Sequence, residues 1–316
     1  MLTIFSITRP FYGHFNIIQR NAISSWVRLQ PCPEIILIGN EFGQQQVAKE
    51  FGLRHHLQVA RDKFGFAYMK DIIKIGSDLA GYPLICYVNA DIILLNDFIQ
   101  SIRNIQSKFG CDRFFIGGRR YNLDVDNLID YDAPDYQIKL KESIKSRAGL
   151  ARYSAIDYFV FPKSIVNQIT REMPPFVVGV TPWDNWFLYM IRRMHIPFID
   201  ATSEITAVHQ NHESLRPENI GDDIHRHGFR LDPYEKRLYS LDKRKLCSFR
   251  SKLYSLYDAT HILDRGGVKK ASNKRKLLAL RARMISGIWY IFTDIFYPYS
   301  QPLTCLIKKI ADRFQQ

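Results

Sequence analysis

The chain alternates between short apolar runs and segments whose apolar residues recur every three or four positions. The apolar runs predict four strands, at 2–7, 34–38, 84–94 and 114–116. The helical spacing predicts four helices, at 13–29, 44–51, 68–79 and 96–109. Strands that alternate with helices form right-handed βαβ units. The pattern therefore predicts an α/β domain with a mostly parallel sheet flanked by helices.

The second half of the chain is less regular. It predicts a strand at 156–161, a helix at 184–193 and extended chain at 198–208. The sequence shows no internal repeat and no interdomain linker before a basic segment near its end. We therefore predict one globular domain over residues 1–263 and a basic, amphipathic, helical tail over residues 264–316.

Three polar segments follow predicted strands. They are residues 8–10, 39–41 and 89–91. Parallel sheets bind ligands at the carboxyl ends of their strands, so these segments are expected on one rim of the sheet. The pattern places a ligand site there.

Charge distinguishes the tail from the rest of the chain. The 316 residues carry a net charge of +13, and residues 264–316 hold eleven basic and three acidic residues. Basic clusters beside apolar and aromatic residues at 288–296 are typical of segments that lie on anionic membranes. The alternative is a solvated basic helix that packs its apolar face on the domain or on a second subunit. The longer apolar stretch between Arg283 and Lys308 is interrupted by Pro298 and Pro302, which makes it a poor spanning helix.

The cysteine pattern indicates a reducing compartment. Five scattered cysteines form no CxxC pair, which argues against both a disulfide framework and a zinc ribbon: Cys32, Cys86, Cys111, Cys247 and Cys305. The N-terminus lacks the basic start and the cleavage site of a signal peptide. We expect a cytoplasmic protein, peripheral at the cytoplasmic face of a membrane.

The chain lacks the GxxxxGK[ST], GxGxxG, GxSxG and HExxH signatures. Its most conspicuous polar residue is Asp91, which lies between two apolar runs and needs a partner if it is buried. A divalent ion bound to a diphosphate is one such partner. A solvated strand end or a helix cap is the alternative.

The segment 87–93, Tyr-Val-Asn-Ala-Asp-Ile-Ile, resembles the DxD segment of GT-A-fold glycosyltransferases, which use nucleotide-sugar donors. Four further segments extend the resemblance to bacterial-type glycosyltransferase-like proteins: 156–162, 183–186, 208–212 and 258–261. It covers roughly residues 1–271 and implies a GT-A-like, Rossmann-like fold. It also implies transfer of a sugar, with inversion, to a saccharide or lipid-linked acceptor in surface polysaccharide or glycolipid synthesis.

The resemblance assigns the donor site residue by residue. Asp91 matches the last acid of the DxD and would ligate Mn²⁺ or Mg²⁺, whereas Asn89 replaces the first acid and removes a charge. Thr8 and Arg9 match the loop that holds the nucleoside of a UDP- or GDP-sugar. Two further residues match the end of the second strand, where the base is often read: Asn40 and Glu41.

It also assigns the reaction centre. Asp184 matches the acid that deprotonates the acceptor, although a helix cap would explain this residue as well. His209 matches a late histidine of the metal shell. Trp183 could stack on an acceptor sugar, and Asp157 either binds a sugar or makes a structural hydrogen bond.

The sequence is also compatible with other functions. A degenerate, non-catalytic protein that binds glycans or nucleotides would tolerate Asn89. A sugar nucleotidyltransferase would need a glycine-rich basic loop after the first strand, which residues 8–13 match poorly. No nucleic-acid-binding motif accompanies the basic tail. The spacing of His209, His212 and Glu213 could indicate zinc, but no third conventional ligand lies nearby in the sequence.

Overall fold

The computed structural model describes residues 1–110, 112–179, 181–212 and 246–296, with the side chains of the last helix described as far as Ile288. Cys111, Cys305, Glu213 and the tail from residue 297 onward lie outside the described residues. The described cysteines are free thiols: Cys32, Cys86 and Cys247.

The described residues form thirteen strands. They are β1 Leu2–Ile7, β2 Glu34–Ile38, β3 Arg54–His56, β4 Leu84–Val88, β5 Ile92–Leu94, β6 Phe115–Gly117, β7 Tyr121–Leu123, β8 Gly149–Leu150, β9 Tyr158–Pro162, β10 Phe198–Asp200, β11 Ala207–Gln210, β12 His261–Asp264 and β13 Gly267–Lys270. The same residues form eight α-helices. They are α1 Gly13–Val27, α2 Gln44–Glu50, α3 Met69–Leu79, α4 Asp97–Phe109, α5 Tyr136–Arg147, α6 Val166–Glu172, α7 Trp183–Arg193 and α8 Asn273–Phe296.

Nine strands form the main sheet, in the order β13-β12-β10-β6-β9-β4-β1-β2-β3. The pairs from β4 to β3 are parallel, as are β6–β10 and β10–β12. Strand β9 runs antiparallel between β4 and β6, and β13 is an antiparallel edge strand. The predicted α/β class with a mostly parallel, helix-flanked sheet is confirmed.

Burial on both faces explains why the central strands are continuous apolar runs. All five residues of β4 and all five of β9 are buried. In β1, Ile4 packs with α1 and α4 residues on one face, whereas Phe5 packs with α3, α6 and α7 residues on the other. Gly76 of α3 lies so close to the Phe5 ring that a Cβ at this position would collide with it.

A second, four-stranded sheet carries part of the candidate site. Its order is β5-β11-β7-β8, and β5 and β11 are antiparallel, with His209 opposite Ile92. Because β5 begins directly after Asp91, this pairing brings two distant parts of the chain together at the rim of the main sheet.

The junction with the tail differs in detail from the prediction. The boundary predicted at residue 263 cuts through the β12–β13 hairpin, in which His261 pairs with Lys270. The last strand therefore belongs to the sheet, and the helical part of the tail starts at Asn273. Within the described residues, no helix combines the length and the hydropathy needed to cross a membrane.

Candidate active site

A cavity of about 390 Å³ opens at the carboxyl ends of β1, β2 and β4. Its walls include most of the residues assigned from the sequence: Thr8, Arg9, Glu41, Asn89, Asp91, Asp157, Trp183 and Asp184. The three segments expected on one rim thus meet at one cavity, because parallel strands end on the same edge.

The loop after β1 is fixed by a side chain of α1. Gln19 accepts a hydrogen bond from the Arg9 backbone N–H at 2.6 Å and donates one to the Arg9 carbonyl at 3.0 Å. The Arg9 guanidinium lies over the Phe15 ring, 4.6 Å from its centroid. The Thr8 hydroxyl is buried in this loop without a protein partner.

The end of β2 contributes one acid. Glu41 lies on the cavity wall and pairs with Arg61 at 2.5 Å, while its backbone N–H donates to Gln44 at 3.0 Å. Asn40 is exposed and does not line the cavity. Of the two residues assigned to base recognition, the structure brings only Glu41 to the site.

Asp91, His209 and His212 form a cluster with metal-ligand chemistry. One ligand atom of each lies within 4.8 Å of the others. Asp91 Oδ2 is 3.0 Å from His212 Nε2 and 3.5 Å from His209 Nε2. The Gln210 side chain donates to the Asp91 carbonyl at 3.1 Å and so ties β11 to the turn that carries this acid.

The surroundings of the cluster favour an ionised Asp91 and a neutral His209. Burial raises the pKa of Asp91, but the His212 hydrogen bond and the electrostatic influence of His209, His212 and Arg120 outweigh it and lower the pKa overall. Burial lowers the pKa of His209 despite the opposing effect of Asp91.

Two atoms of the cluster are buried without a partner: Asp91 Oδ1 and His209 Nδ1. Buried polar atoms are costly to leave unpaired, and a cation would supply a partner for the carboxylate. The residues therefore fit a divalent metal.

Asp157 is held on both of its oxygens. Asn89 Nδ2 donates to Oδ1 at 2.7 Å, and Arg120 forms a short ion pair with Oδ2. The structural hydrogen bond, one of the two interpretations of Asp157 left open by the sequence, is present in the structure.

Asp184 lies in the first turn of α7, beside Trp183. Burial raises the pKa of Asp184 to about 6, with a further contribution from Asp157, although backbone N–H groups of the helix start oppose the shift. Trp183 is buried, with its ring centroid 5.3 Å from that of Tyr87 and 5.0 Å from that of Phe159. Only part of this indole remains available to the cavity.

Two residues of the site were not assigned from the sequence. His212 was considered only together with His209 as a zinc pair, because Asp91, the third member of the cluster, lies far away in the chain. Arg120 has no role among the residues assigned from the sequence, yet in the structure it forms an ion pair with Asp157. The three-residue spacing of His209 and His212 was the one local feature of the sequence that indicated this cluster.

No family model matches the chain, and no curated protein matches it. Among solved structures it is similar to residues 1–349 of TarS from S. aureus in complex with UDP-GlcNAc, with 10% identity over 77% of this chain and 71% of that chain and a TM-score of 0.43. It is also similar to a cytidylyltransferase from Leptospira borgpetersenii serovar Hardjo-bovis, with 11% identity over 64% and 76% of the two chains and a TM-score of 0.42. These are distant likenesses.

Proposed function

We propose that the protein is a glycosyltransferase that moves a sugar, with inversion, from a nucleotide-sugar donor to a saccharide or lipid-linked acceptor. One observation carries this proposal. A single cavity contains Asp91, which belongs to a metal-ligand cluster, and Asp184, whose pKa is raised to about 6. Glycosyl transfer through a diphosphate leaving group needs both a counter-charge and a base.

The donor end of the cavity is formed by the loops after β1 and β2. The volume of the whole cavity, about 390 Å³, lies within the range of small-molecule sites. Thr8 offers an unpaired hydroxyl, Arg9 a cation and Glu41 a carboxylate, which suit hydrogen bonds to a nucleoside and its phosphates. Asn40 would join them only at the exposed mouth. We propose a UDP- or GDP-sugar as the donor.

Asp91, His209 and His212 would hold the metal. Imidazole ligands suit Mn²⁺ better than Mg²⁺, which prefers oxygen ligands, so we propose Mn²⁺ for this site. When bound, such an ion supplies Lewis-acid neutralisation of the leaving diphosphate.

Asp184 would act as the base. Its carboxylate accepts the proton of the acceptor hydroxyl while that oxygen forms a bond to the anomeric carbon and the bond from that carbon to the diphosphate breaks. Asp157, the other carboxylate nearby, is engaged by Asn89 and Arg120.

Glu41 pairs with Arg61, and Asp91 belongs to the metal cluster. Asp184 is therefore the carboxylate of the cavity wall left to act on the acceptor. One such base suits a single displacement, which inverts the configuration.

A thermal-shift panel tests the donor site. UDP, GDP, CMP and dTDP are each added with and without Mn²⁺. A ligand at about 100 times its Kd stabilises a protein by about 2.7 kcal/mol. We expect stabilisation by one nucleotide, enhanced by Mn²⁺ and lost in Asp91→Ala.

Transfer is then assayed with the matching nucleotide-sugar. We expect Asp184→Asn to retain donor binding and lose transfer. Asp78, a carboxylate on the exposed side of α3, provides the control: Asp78→Asn should keep both donor binding and transfer. No response to any nucleotide would favour the non-catalytic binding protein. Formation of a nucleotide-sugar from a nucleoside triphosphate and a sugar phosphate would establish a nucleotidyltransferase instead.

A further inference from the structure

Helix α8 is fixed to the domain by one face. Arg275 forms a short ion pair with Asp200 and donates to the Leu256 carbonyl at 2.5 Å. Two turns later, Arg283 pairs with Asp258 at 3.3 Å. These anchors define which side of the helix faces the domain.

The opposite side of α8 carries an exposed aliphatic stripe. Its members are Leu277, Leu280, Met284 and Ile288, which are 66%, 52%, 69% and 57% exposed. Their spacing of three, four and four residues places them on one helical face. A contiguous apolar patch of this kind marks an interaction surface.

Basic residues flank the stripe on both sides. At 100° per residue, Lys274 and Arg281 fall on one side of it, and Lys276 on the other. Long basic side chains beside an aliphatic face can reach toward anionic groups while the stripe contacts an apolar phase.

A basic cavity of about 790 Å³ opens beside the stripe, between the end of α7, residues 250–261 and α8. Six of its lining residues are basic: Arg192, Arg193, Arg250, Lys270, Lys276 and Arg283. Its one acid, Asp258, already accepts from Ser255 and pairs with Arg283. Leu280 belongs to both the cavity and the stripe.

The surroundings of this cavity lower the pKa of a histidine on its wall. Burial lowers the pKa of His261, and the positive charges of Lys108, Lys270 and Arg192 lower it further. The excess of lysine and arginine over acidic side chains on its wall favours an anion in this cavity.

We propose that the cavity binds the phosphate of an anionic phospholipid headgroup while the aliphatic stripe of α8 lies in the bilayer interface. The two features share Leu280, so one membrane surface can meet both at once. This inference does not depend on the donor chemistry.

The composition of the surface favours a lipid over other partners. The four exposed residues of the stripe are aliphatic, which suits contact with lipid chains better than stacking on bases. A second copy placed on the same face would bring two sets of like charges together.

Sedimentation of the full chain with vesicles tests the proposal. The vesicles contain phosphatidylcholine alone or phosphatidylcholine mixed with phosphatidylglycerol. Three double variants are compared with the wild type: Lys270→Glu/Lys276→Glu in the cavity, Leu280→Asp/Met284→Asp in the stripe, and Lys145→Glu/Arg147→Glu on α5 as the control of equal charge change. All six positions are exposed or half-exposed, and circular dichroism verifies that each variant folds.

We expect binding to the anionic vesicles only. The cavity variant should bind at least about 25-fold more weakly, because each lysine near such a surface contributes a factor of about five and the glutamates add repulsion. The stripe variant should also bind more weakly, and the α5 variant like the wild type.

Several results would overturn the proposal. These are equal binding to both vesicle types, full binding by the stripe variant, and displacement by soluble glycerol phosphate alone, which would indicate a phosphate site without membrane contact. Tighter binding to an oligonucleotide than to the vesicles would indicate nucleic acid, and a dimer abolished by Leu280→Asp/Met284→Asp would indicate self-association.

Discussion

Asn89 donates a 2.7 Å hydrogen bond to Asp157, and this contact gives a physical reason for an amide at position 89. A second carboxylate here would face Asp157 at hydrogen-bond distance with no proton between them. Asp157, directly before β9, thus carries the negative charge of this pair, and Arg120 balances it.

Asn89→Asp should destabilise the protein, because two like charges would then share one half-buried contact. We expect a loss on the order of 2 kcal/mol near neutral pH, which shrinks in acid as one carboxyl of the pair takes up a proton. Thermal unfolding at several pH values measures this loss. The exchange variant Asn89→Asp/Asp157→Asn restores one acid and one amide and should recover part of the stability. An unchanged Tm in Asn89→Asp near neutral pH would show that the contact is unimportant.

His212→Ala should weaken Mn²⁺ binding at least about tenfold, because even residues that only support metal ligands contribute that much to affinity. Titration calorimetry of the full chain with Mn²⁺ gives the affinity. His195→Asn is the matched control, since this exposed histidine has a φ of +55° that asparagine tolerates. Mg²⁺ should bind more weakly than Mn²⁺ to the wild type. Equal Mn²⁺ affinity in the wild type and His212→Ala would remove His212 from the site.

The rim of the main sheet could be predicted because its strands bury both faces. Continuous apolar runs such as Leu84–Val88 are visible in the sequence, and their ends locate Thr8, Glu41 and Asp91 without any tertiary information. The junction with the tail was less visible, since β12 and β13 are four residues each and lie at a sheet edge.

The metal cluster could not be predicted completely, because it depends on pairing between distant strands. His212 meets Asp91 only through the β5–β11 ladder of the small sheet, whose strands have three and four residues. Local periodicity carries no information on such pairing. The role of Arg120 could not be predicted for the same reason: it contacts Asp157 from the loop before β7, and the two residues are distant in the sequence.

Asp184→Asn should raise stability and abolish transfer. Because the pKa of Asp184 is raised to about 6, the folded state binds its proton more tightly than the unfolded state does. Any stability from this carboxyl is complete below its unfolded pKa of about 4 and is lost as the pH rises through about 6. The variant should therefore gain on the order of 2 kcal/mol over the wild type near pH 8 and little near pH 4, as measured by thermal unfolding.

The same group sets the pH dependence of transfer. A base must be ionised, so kcat/KM of the wild type should rise up to about pH 6 and level off above it, and Asp184→Asn should lower it by a factor of about 100 or more. Asp78→Asn should leave both the profile and the stability near those of the wild type. A profile without a step near this pH would exclude Asp184 as the base.

Thr8→Val should weaken nucleotide binding without destabilising the protein. The Thr8 hydroxyl is buried in the cavity wall without a protein partner, so an isosteric methyl group relieves an unpaired polar atom in the free protein. A nucleotide that bonds this hydroxyl would lose about 0.5–1.5 kcal/mol of binding free energy, a two- to tenfold rise in Kd.

Thr181→Val is the matched control on the same wall. The Thr181 hydroxyl donates to the Val177 carbonyl at 2.8 Å and accepts from the Val177 N–H at 3.1 Å. Thr181→Val should lower the Tm, because it removes both of these hydrogen bonds. If Thr8→Val instead lowered the Tm as much as Thr181→Val and left the nucleotide Kd unchanged, the hydroxyl would have a structural role and no part in donor binding.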